Sequence, residues 1–279
     1  MGSGTYSISS SVSRSATYAS LNNQQIFTNT AMPHAMSPLN VKVRESRDSA
    51  EHPNSFPIIM ALDVTGSMGS IPNYMVKEGL NQIMANIIQQ GEKDPQVLFL
   101  GIGDHECDTS PLQVGQFESS DELLDKWLRA VYLESGGGGN LGESYSLAWY
   151  FAGYHTVTDS WEKRKRKGLL FTIGDEPVLP SIPGHALKSF VGGGQYEKKY
   201  SAAQLLDKAR ETYEVYHIHL TQTSAGKLPG AMDGWKQLMG KNLIVVDSAE
   251  DVAKTISDIV IKYQGTSHTP TSTYTEDML

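Results

Sequence analysis

Four oxygen-bearing side chains fall where strands should end: Asp63, Thr65 and Ser67 in the run D-V-T-G-S, and Asp175 in F-T-I-G-D-E. In the first run every second side chain points the same way, and Gly66 is expected to let the chain turn sharply enough to curl all three round one point. Carboxylates and hydroxyls with no imidazole or thiolate among them suit a small hard cation, magnesium, manganese or calcium, better than zinc. Asp104, which follows the run QVLFLGIG, is placed near the same point and is expected to orient a bound water or a hydroxyl ligand. Taken alone, D-V-T-G-S reads equally well as a strand entering a helix cap, with Asp63 and Ser67 satisfying backbone donors. Asp175 and a glycine-rich loop, GGGGNLGES at 136 to 144, favour the metal.

These residues need a scaffold that brings separate chain segments to one edge. From Pro57 onward, apolar runs alternate with amphipathic segments, the pattern of a parallel sheet covered by helices on both faces. The strands are expected at 57–64, 96–103, 169–174, 215–220 and 242–246. PLQVGQF (111–117) follows the second strand after only seven residues, too few for a parallel crossover, so it must run antiparallel. Helices are expected at 73–90, with Pro72 in the first turn; after Ser119 and Glu122, read as a capping box; and at 142–155, 201–213, 230–239 and 248–263. In such an open sheet, ligands bind at the carboxyl ends of the strands, where Asp63, Asp104 and Asp175 fall.

Composition removes several function classes. The 279 residues carry a net charge of −8, which argues against a nucleic-acid partner held through its phosphates. The basic run Lys163, Arg164, Lys165, Arg166 and Lys167 reads as a solvated helix end before a buried strand. One cysteine, Cys107, excludes an intrachain disulfide. With no export-type apolar segment near the first residues and no run long enough to span a bilayer, a cytoplasmic protein without a membrane partner is expected. Residues 1–56 are rich in Ser, Asn, Thr and Gln and read as a polar arm, in which QQIF and VKVRES (41–46) are candidate short strands. Residues 57–263 form the domain, and 264–279 read as a disordered tail.

The D-V-T-G-S run resembles the metal-ion-dependent adhesion site of von Willebrand factor A domains, whose signature is Asp-x-Ser-x-Ser after the first strand; Thr65 replaces the first Ser. FTIGDE supplies Asp175 in place of the Asp that follows the fourth strand. Gly139 stands where integrin-type members carry a metal-binding Thr, which leaves Asn140 as first candidate from the glycine loop and Glu143 as second. The resemblance covers residues 57–262. It implies a doubly wound, Rossmann-like three-layer α/β sandwich with a mostly parallel six-stranded sheet and one short antiparallel edge strand. It also implies one Mg²⁺ or Mn²⁺ left open for a Glu or Asp of a protein partner. Intracellular members often serve AAA+ ATPase machines, which makes such an ATPase a candidate partner. The 25 residues between Asp175 and Ser201 show no clear strand and are expected to select the partner.

Two other classes compete. A haloacid-dehalogenase-like phosphatase would need an acid two residues after Asp63, where Thr65 stands, so a catalyst of that kind is not expected. An assembly subunit in which the ion only stabilises the fold fits the same residues. The stretch Asp104, His105, Glu106, Cys107, Asp108 reads as a hairpin loop rather than a second metal site, and His217 and His219 read as buried, hydrogen-bonded histidines.

Overall fold

The computed structural model describes residues 4–39, 41–134, 140, 142–192 and 196–266. The arm comes first and is ordered against the domain. Helix α1 (Ile8–Tyr18) starts on the Ser7 cap, and α2 (Asn23–Ile26) starts on an Asn22–Gln25 capping box, so QQIF is helical rather than extended. The strand expected in VKVRES is β1 (Arg44–Ser46).

The domain begins with β2 (Phe56–Asp63), buried along its whole length. Ile58, Met60 and Leu62 enter one core and Ile59 and Ala61 the other, the period of two expected of a strand covered on both faces. Helix α3 (Ile71–Tyr74) has Pro72 in its first turn, two residues earlier than expected, and a wide π turn over Met75–Gly79 separates it from α4 (Leu80–Gln89). Gly79 permits that turn, since a Cβ there would lie 2.8 Å from Met75 Sδ.

Strands β3 (Pro95–Ile102) and β4 (Leu112–Val114) pair antiparallel. Helix α5 (Asp121–Arg129) is capped by Ser120, whose hydroxyl accepts from the Leu123 amide; the cap predicted at Ser119 is one residue off. Helix α6 (Ser146–His155) buries Leu147, Tyr150 and Phe151, while Tyr154 is 49% exposed. Then come β5 (Thr156–Thr158), α7 (Asp159–Arg164), β6 (Gly168–Gly174), β7 (Ser181–Pro183), α8 (Gly184–Phe190), β8 (Lys199–Ser201) and α9 (Ala202–Arg210). Strand β9 (Tyr213–Leu220), α10 (Asp233–Met239), β10 (Leu243–Val246) and α11 (Ala249–Thr266) finish the described chain.

The central sheet has six strands in the order β10-β9-β6-β2-β3-β4, all parallel except the edge strand β4. This is the doubly wound architecture expected. β2 lies between β3 and β6, and the chain winds outward in opposite directions from the β2–β6 pair, so the crevice at their carboxyl ends is the switch point of the topology.

Two expectations change. The segment after Asp175 is not structureless: β7 and β8 pair antiparallel around α8. The basic run is also more tied down than a solvated helix end, because Arg164 grips Asp48 at 2.8 Å, Arg166 grips Glu92 at 3.0 Å, and Lys163 reaches Asp159 at 2.7 Å. Helix α11 continues to Thr266, three residues beyond the predicted end; the rest of the tail lies outside the described residues. Among the described residues, no helix is long and apolar enough to cross a membrane.

The arm joins the core. Ile26, Phe27 and Met36 are 1%, 6% and 0% exposed and belong to the same cluster as Ile83 and Val252. Arg14 pairs with Asp121 at 2.6 Å, Tyr18 donates to Asp125, and β1 pairs parallel with β5. Removing a core residue of the arm should therefore act like removing one of the domain: Met36→Ala should cost roughly 2 to 5 kcal/mol, read by urea unfolding. A loss below about 0.5 kcal/mol, the range of ordinary surface changes, would show that the arm is not part of the folded unit.

Candidate functional site

Asp63 ends β2 with its side chain fully buried. Its Oδ1 accepts from the Thr65 amide at 2.9 Å and from Thr65 Oγ1 at 2.6 Å. Thr65 Oγ1 lies 3.2 Å from Ser67 Oγ, and Ser67 Oγ donates to Asp175 Oδ1 at 2.9 Å. The two chain segments are thus joined in one run of oxygen atoms, Asp63 to Thr65 to Ser67 to Asp175. The curl does not come from Gly66, whose φ is ordinary; a 3-10 turn over Gly66–Met68 forms it, and Gly69 takes the left-handed conformation, φ 53°, that ends it.

The electrostatics of this run are one-sided. Asp175 is 0% exposed and its Oδ2 has no hydrogen-bond partner. Burial and then the nearby Asp175 push the Asp63 carboxyl up to about 7. Glu143, 6% exposed and with Oε2 unpartnered, is driven far upward by burial and then by the Asp63 charge, and Glu176 is raised by burial as well. Among the described residues, no lysine or arginine forms an ion pair with Asp63, Glu143, Asp175 or Glu176. An ionised carboxylate buried without a countercharge costs several kcal/mol, and the raised Asp63 and Glu143 carboxyls avoid part of that cost by holding protons, whose place a cation would take. Among the described residues, no three His, Cys, Asp or Glu side chains are grouped as a metal set by themselves. The donors here are two carboxylates and two hydroxyls, the oxygen-only chemistry of a hard ion.

One residue that sequence reasoning missed holds the site together. Tyr145 Oη donates to Asp63 Oδ2 at 2.6 Å, so both carboxylate oxygens of Asp63 are engaged. The ring sits edge-on to His217 and Trp235, which stack on each other at 3.3 Å, and the Trp235 indole donates to the Glu176 carbonyl at 2.9 Å. Gly174 makes room for this: a Cβ there would lie 1.9 Å from Tyr145 Oη. The signal in the sequence was a glycine directly before Asp175, in a strand where glycine is otherwise unfavourable.

The remaining candidates separate. Glu143 is drawn to the site because its amide donates to the Pro177 carbonyl at 2.8 Å and its carbonyl accepts from Leu179 at 3.0 Å. Gly142, φ 129°, allows this approach, since its Cβ would meet the Pro177 carbonyl oxygen at 2.9 Å. Asn140 is turned elsewhere: its Nδ2 donates to Glu106 at 3.0 Å, and no hydrogen bond links it to Asp63, Thr65, Ser67 or Asp175. The geometry therefore ranks Glu143 ahead of Asn140, the reverse of the order read from the loop; Gly139 lies outside the described residues.

Asp104 is buried, but its Oδ1 accepts from the Glu106 amide at 3.0 Å and lies 3.5 Å from Ser144 Oγ. The hydroxyl beside it belongs to Ser144, next to Glu143, and not to Thr65 or Ser67. Residues 104–108 form a turn closed by Asp108, which accepts from the Asp104 amide at 2.7 Å. His217 and His219 are buried, bonded to Thr172 at 3.0 Å and to the Gly226 carbonyl at 3.1 Å, and burial lowers both so that they stay neutral.

No protein-family model matches the sequence, and no curated protein matches it. Solved structures do share its fold. The pilus adhesin SpaC of Lactobacillus rhamnosus GG, in an open conformation, superposes over 77% of this chain with a TM-score of 0.51 at 10% identity. This chain spans only 30% of that adhesin. BatB of Bacteroides thetaiotaomicron is matched at a TM-score of 0.44 and 14% identity, over 76% of this chain and 100% of BatB. The vWF domain of the type V pili tip protein Mfa5 of Porphyromonas gingivalis is matched at 0.44 and 10% identity, over 77% and 97%. Likeness at these identities is likeness of fold, and it says nothing of where this chain works.

The buried carboxyls make metal-free stability depend on pH. The Asp63 group, 3.8 in an open chain, holds its proton to about 7 when folded. Unfolding therefore releases a proton between those values, and folded stability falls as pH rises through that window. In chelator, Asp63→Asn should gain on the parent by on the order of 1 to 4 kcal/mol between pH 4 and pH 8, read by urea unfolding at both. An unchanged difference at the two pH values would mean that Asp63 is not held in this way.

Proposed function

We propose that this chain is a divalent-cation-dependent protein-interaction module, with a von Willebrand factor A-type adhesion site in which Asp63, Thr65, Ser67 and Asp175 hold Mg²⁺ or Mn²⁺. The observation that carries the reading is the run of four oxygen-bearing groups drawn together at the switch point, ending on an unpartnered buried Asp175 oxygen. Glu143 is the glycine-loop residue placed to add an oxygen directly or through water, and Asp104 supports the loop around it. When bound, the ion supplies an electrophilic position that an acidic side chain from another protein can complete. The chain's own part is to fix the hydroxyls: Thr65 and Ser67 would offer the ion neutral oxygens, and a coordination position the chain leaves open would be the one that a partner's acidic side chain completes.

Two features support a binding role over a catalytic one. The position an acid catalyst would take is Thr65, whose hydroxyl already donates to Asp63. Among the described residues, no other acid, base or nucleophile has a hydrogen bond to this run apart from Tyr145, whose hydroxyl burial and the Asp63 charge push far upward, out of reach of proton transfer near neutrality. The partner is accordingly a protein offering Glu or Asp, with an AAA+ ATPase as one class consistent with the resemblance.

Calorimetric titration of the metal-free chain with MgCl₂ and with MnCl₂ tests the reading. One equivalent should bind, and at one hundred times the dissociation constant the stability should rise by about 2.7 kcal/mol. Asp175→Ala should abolish uptake while remaining folded in chelator, since it removes an uncompensated buried charge. No uptake of either ion by the parent chain would sink the proposal.

A further inference from the structure

The arm meets the metal face at a cavity of roughly 610 Å³. The arm lines it with residues from Asn23 to Thr30, and the domain with Thr65, Gly66, Pro72 and residues 132–134. Thr65 thus belongs both to this cavity and to the oxygen run. The arm wall is built rather than draped. Asn23 Nδ2 donates at 2.7 Å to the carbonyl of Gly69, the residue that ends the metal-loop turn, and Asn29 Nδ2 donates at 2.9 Å to the Ala130 carbonyl. Ile26 and Phe27, buried beneath, fix the segment at its base.

The chemistry of the lining defines what fits. Gln24, Thr28 and Thr30 present exposed amide and hydroxyl groups, while Pro72 and Leu133 offer apolar surface opposite. Among the described residues, no lysine or arginine lines the cavity, and the one charged residue that does is Glu134. That carboxylate is anchored, with Oε1 accepting from the Thr109 amide at 3.1 Å, Thr109 Oγ1 at 2.9 Å and the Ser110 amide at 3.0 Å. A cavity that is acidic at one point and otherwise uncharged turns away further acidic groups, and amides and hydroxyls along one wall suit the main chain of an extended segment.

We propose that this arm-walled groove selects the partner, by taking an extended, uncharged peptide segment that flanks the single Asp or Glu presented to the metal. The inference rests on the reading of the site given above. It makes the arm a part of the recognition surface, and it confines the partner's acidic residue to a neutral stretch of sequence.

The test uses the full chain in MgCl₂ and a set of synthetic nonapeptides, each with one central Glu or Asp and with flanks that are uncharged, acidic or basic. Binding is measured by fluorescence anisotropy, and Mg²⁺ uptake by calorimetry on the same samples. Peptides with uncharged flanks should bind best. Gln24→Trp and Thr30→Trp, which fill the groove from exposed positions, should weaken them at least tenfold with Mg²⁺ uptake and melting temperature unchanged. Equal binding by the parent and both tryptophan variants, a preference for charged flanks, or no peptide binding by a chain that takes up Mg²⁺ would each overturn the groove and leave the metal reading standing. Absence of Mg²⁺ uptake by the parent would overturn the metal reading itself.

Discussion

A carboxylate removed from water at the end of a central strand sets the terms for everything around it. Asp63 has no countercharge, so each of its oxygens must be answered by donors: Oδ1 by the Thr65 amide and hydroxyl, Oδ2 by the Tyr145 hydroxyl. These bonds orient the group and compensate part of its desolvation. They do not neutralise it, and Asp175, a second buried carboxylate joined to it through Ser67, makes the deficit larger. A protein retains such an arrangement against its own stability where the charge has work to do.

The fold supplies this constraint through backbone more than through side chains. Parallel pairing of β2 with β6 brings Asp63 and Asp175 to the same edge, because Leu62 lies opposite Ile173. Gly174 then leaves room for the Tyr145 hydroxyl, Gly142 lets the Glu143 segment lie against Pro177, and Gly69 closes the turn after Ser67. Each is a position where a side chain would collide or strain the turn, so the site is held by close backbone approach. The aromatic stack of Tyr145, His217 and Trp235 lies next to it, and through the Trp235 bond to the Glu176 carbonyl it fixes the chain just beyond Asp175.

Much of this was readable from residue order, for a physical reason. Strands buried on both faces appear as continuous apolar runs, and the side chains at the carboxyl ends of a doubly wound sheet follow those runs directly, so it could be read from local sequence that Asp63, Thr65, Ser67 and Asp175 come together. What escaped was non-local. Tyr145 reads as the first turn of an ordinary helix, and nothing nearby in sequence reveals that its hydroxyl ends on a residue 82 positions away. The path of the glycine loop escaped too, because the backbone bonds between Glu143 and residues 177–179 that bring Glu143 beside Asp63 join segments far apart in sequence. The arm was underestimated because its apolar residues are sparse; Ile26, Phe27 and Met36 complete a core that the domain starts.

That last point changes how the switch-point crevice is bounded. In a doubly wound sheet the switch-point crevice is ordinarily shaped by the loops that follow the strands. Here part of the lining comes from residues 23–30, well before the central sheet's first strand, which begins at Phe56. It is carried there by the α1 contacts with α4 and α5 and pinned by Asn23 to the turn after Ser67. A bond between the arm and the Gly69 carbonyl means that the conformation of the turn after Ser67 and the position of the arm are not independent. Any change in the turn that accompanies occupation of the site is therefore felt at the wall of the groove beside it, and a ligand ordering that wall favours the turn that matches it, by the reciprocity that linked equilibria require.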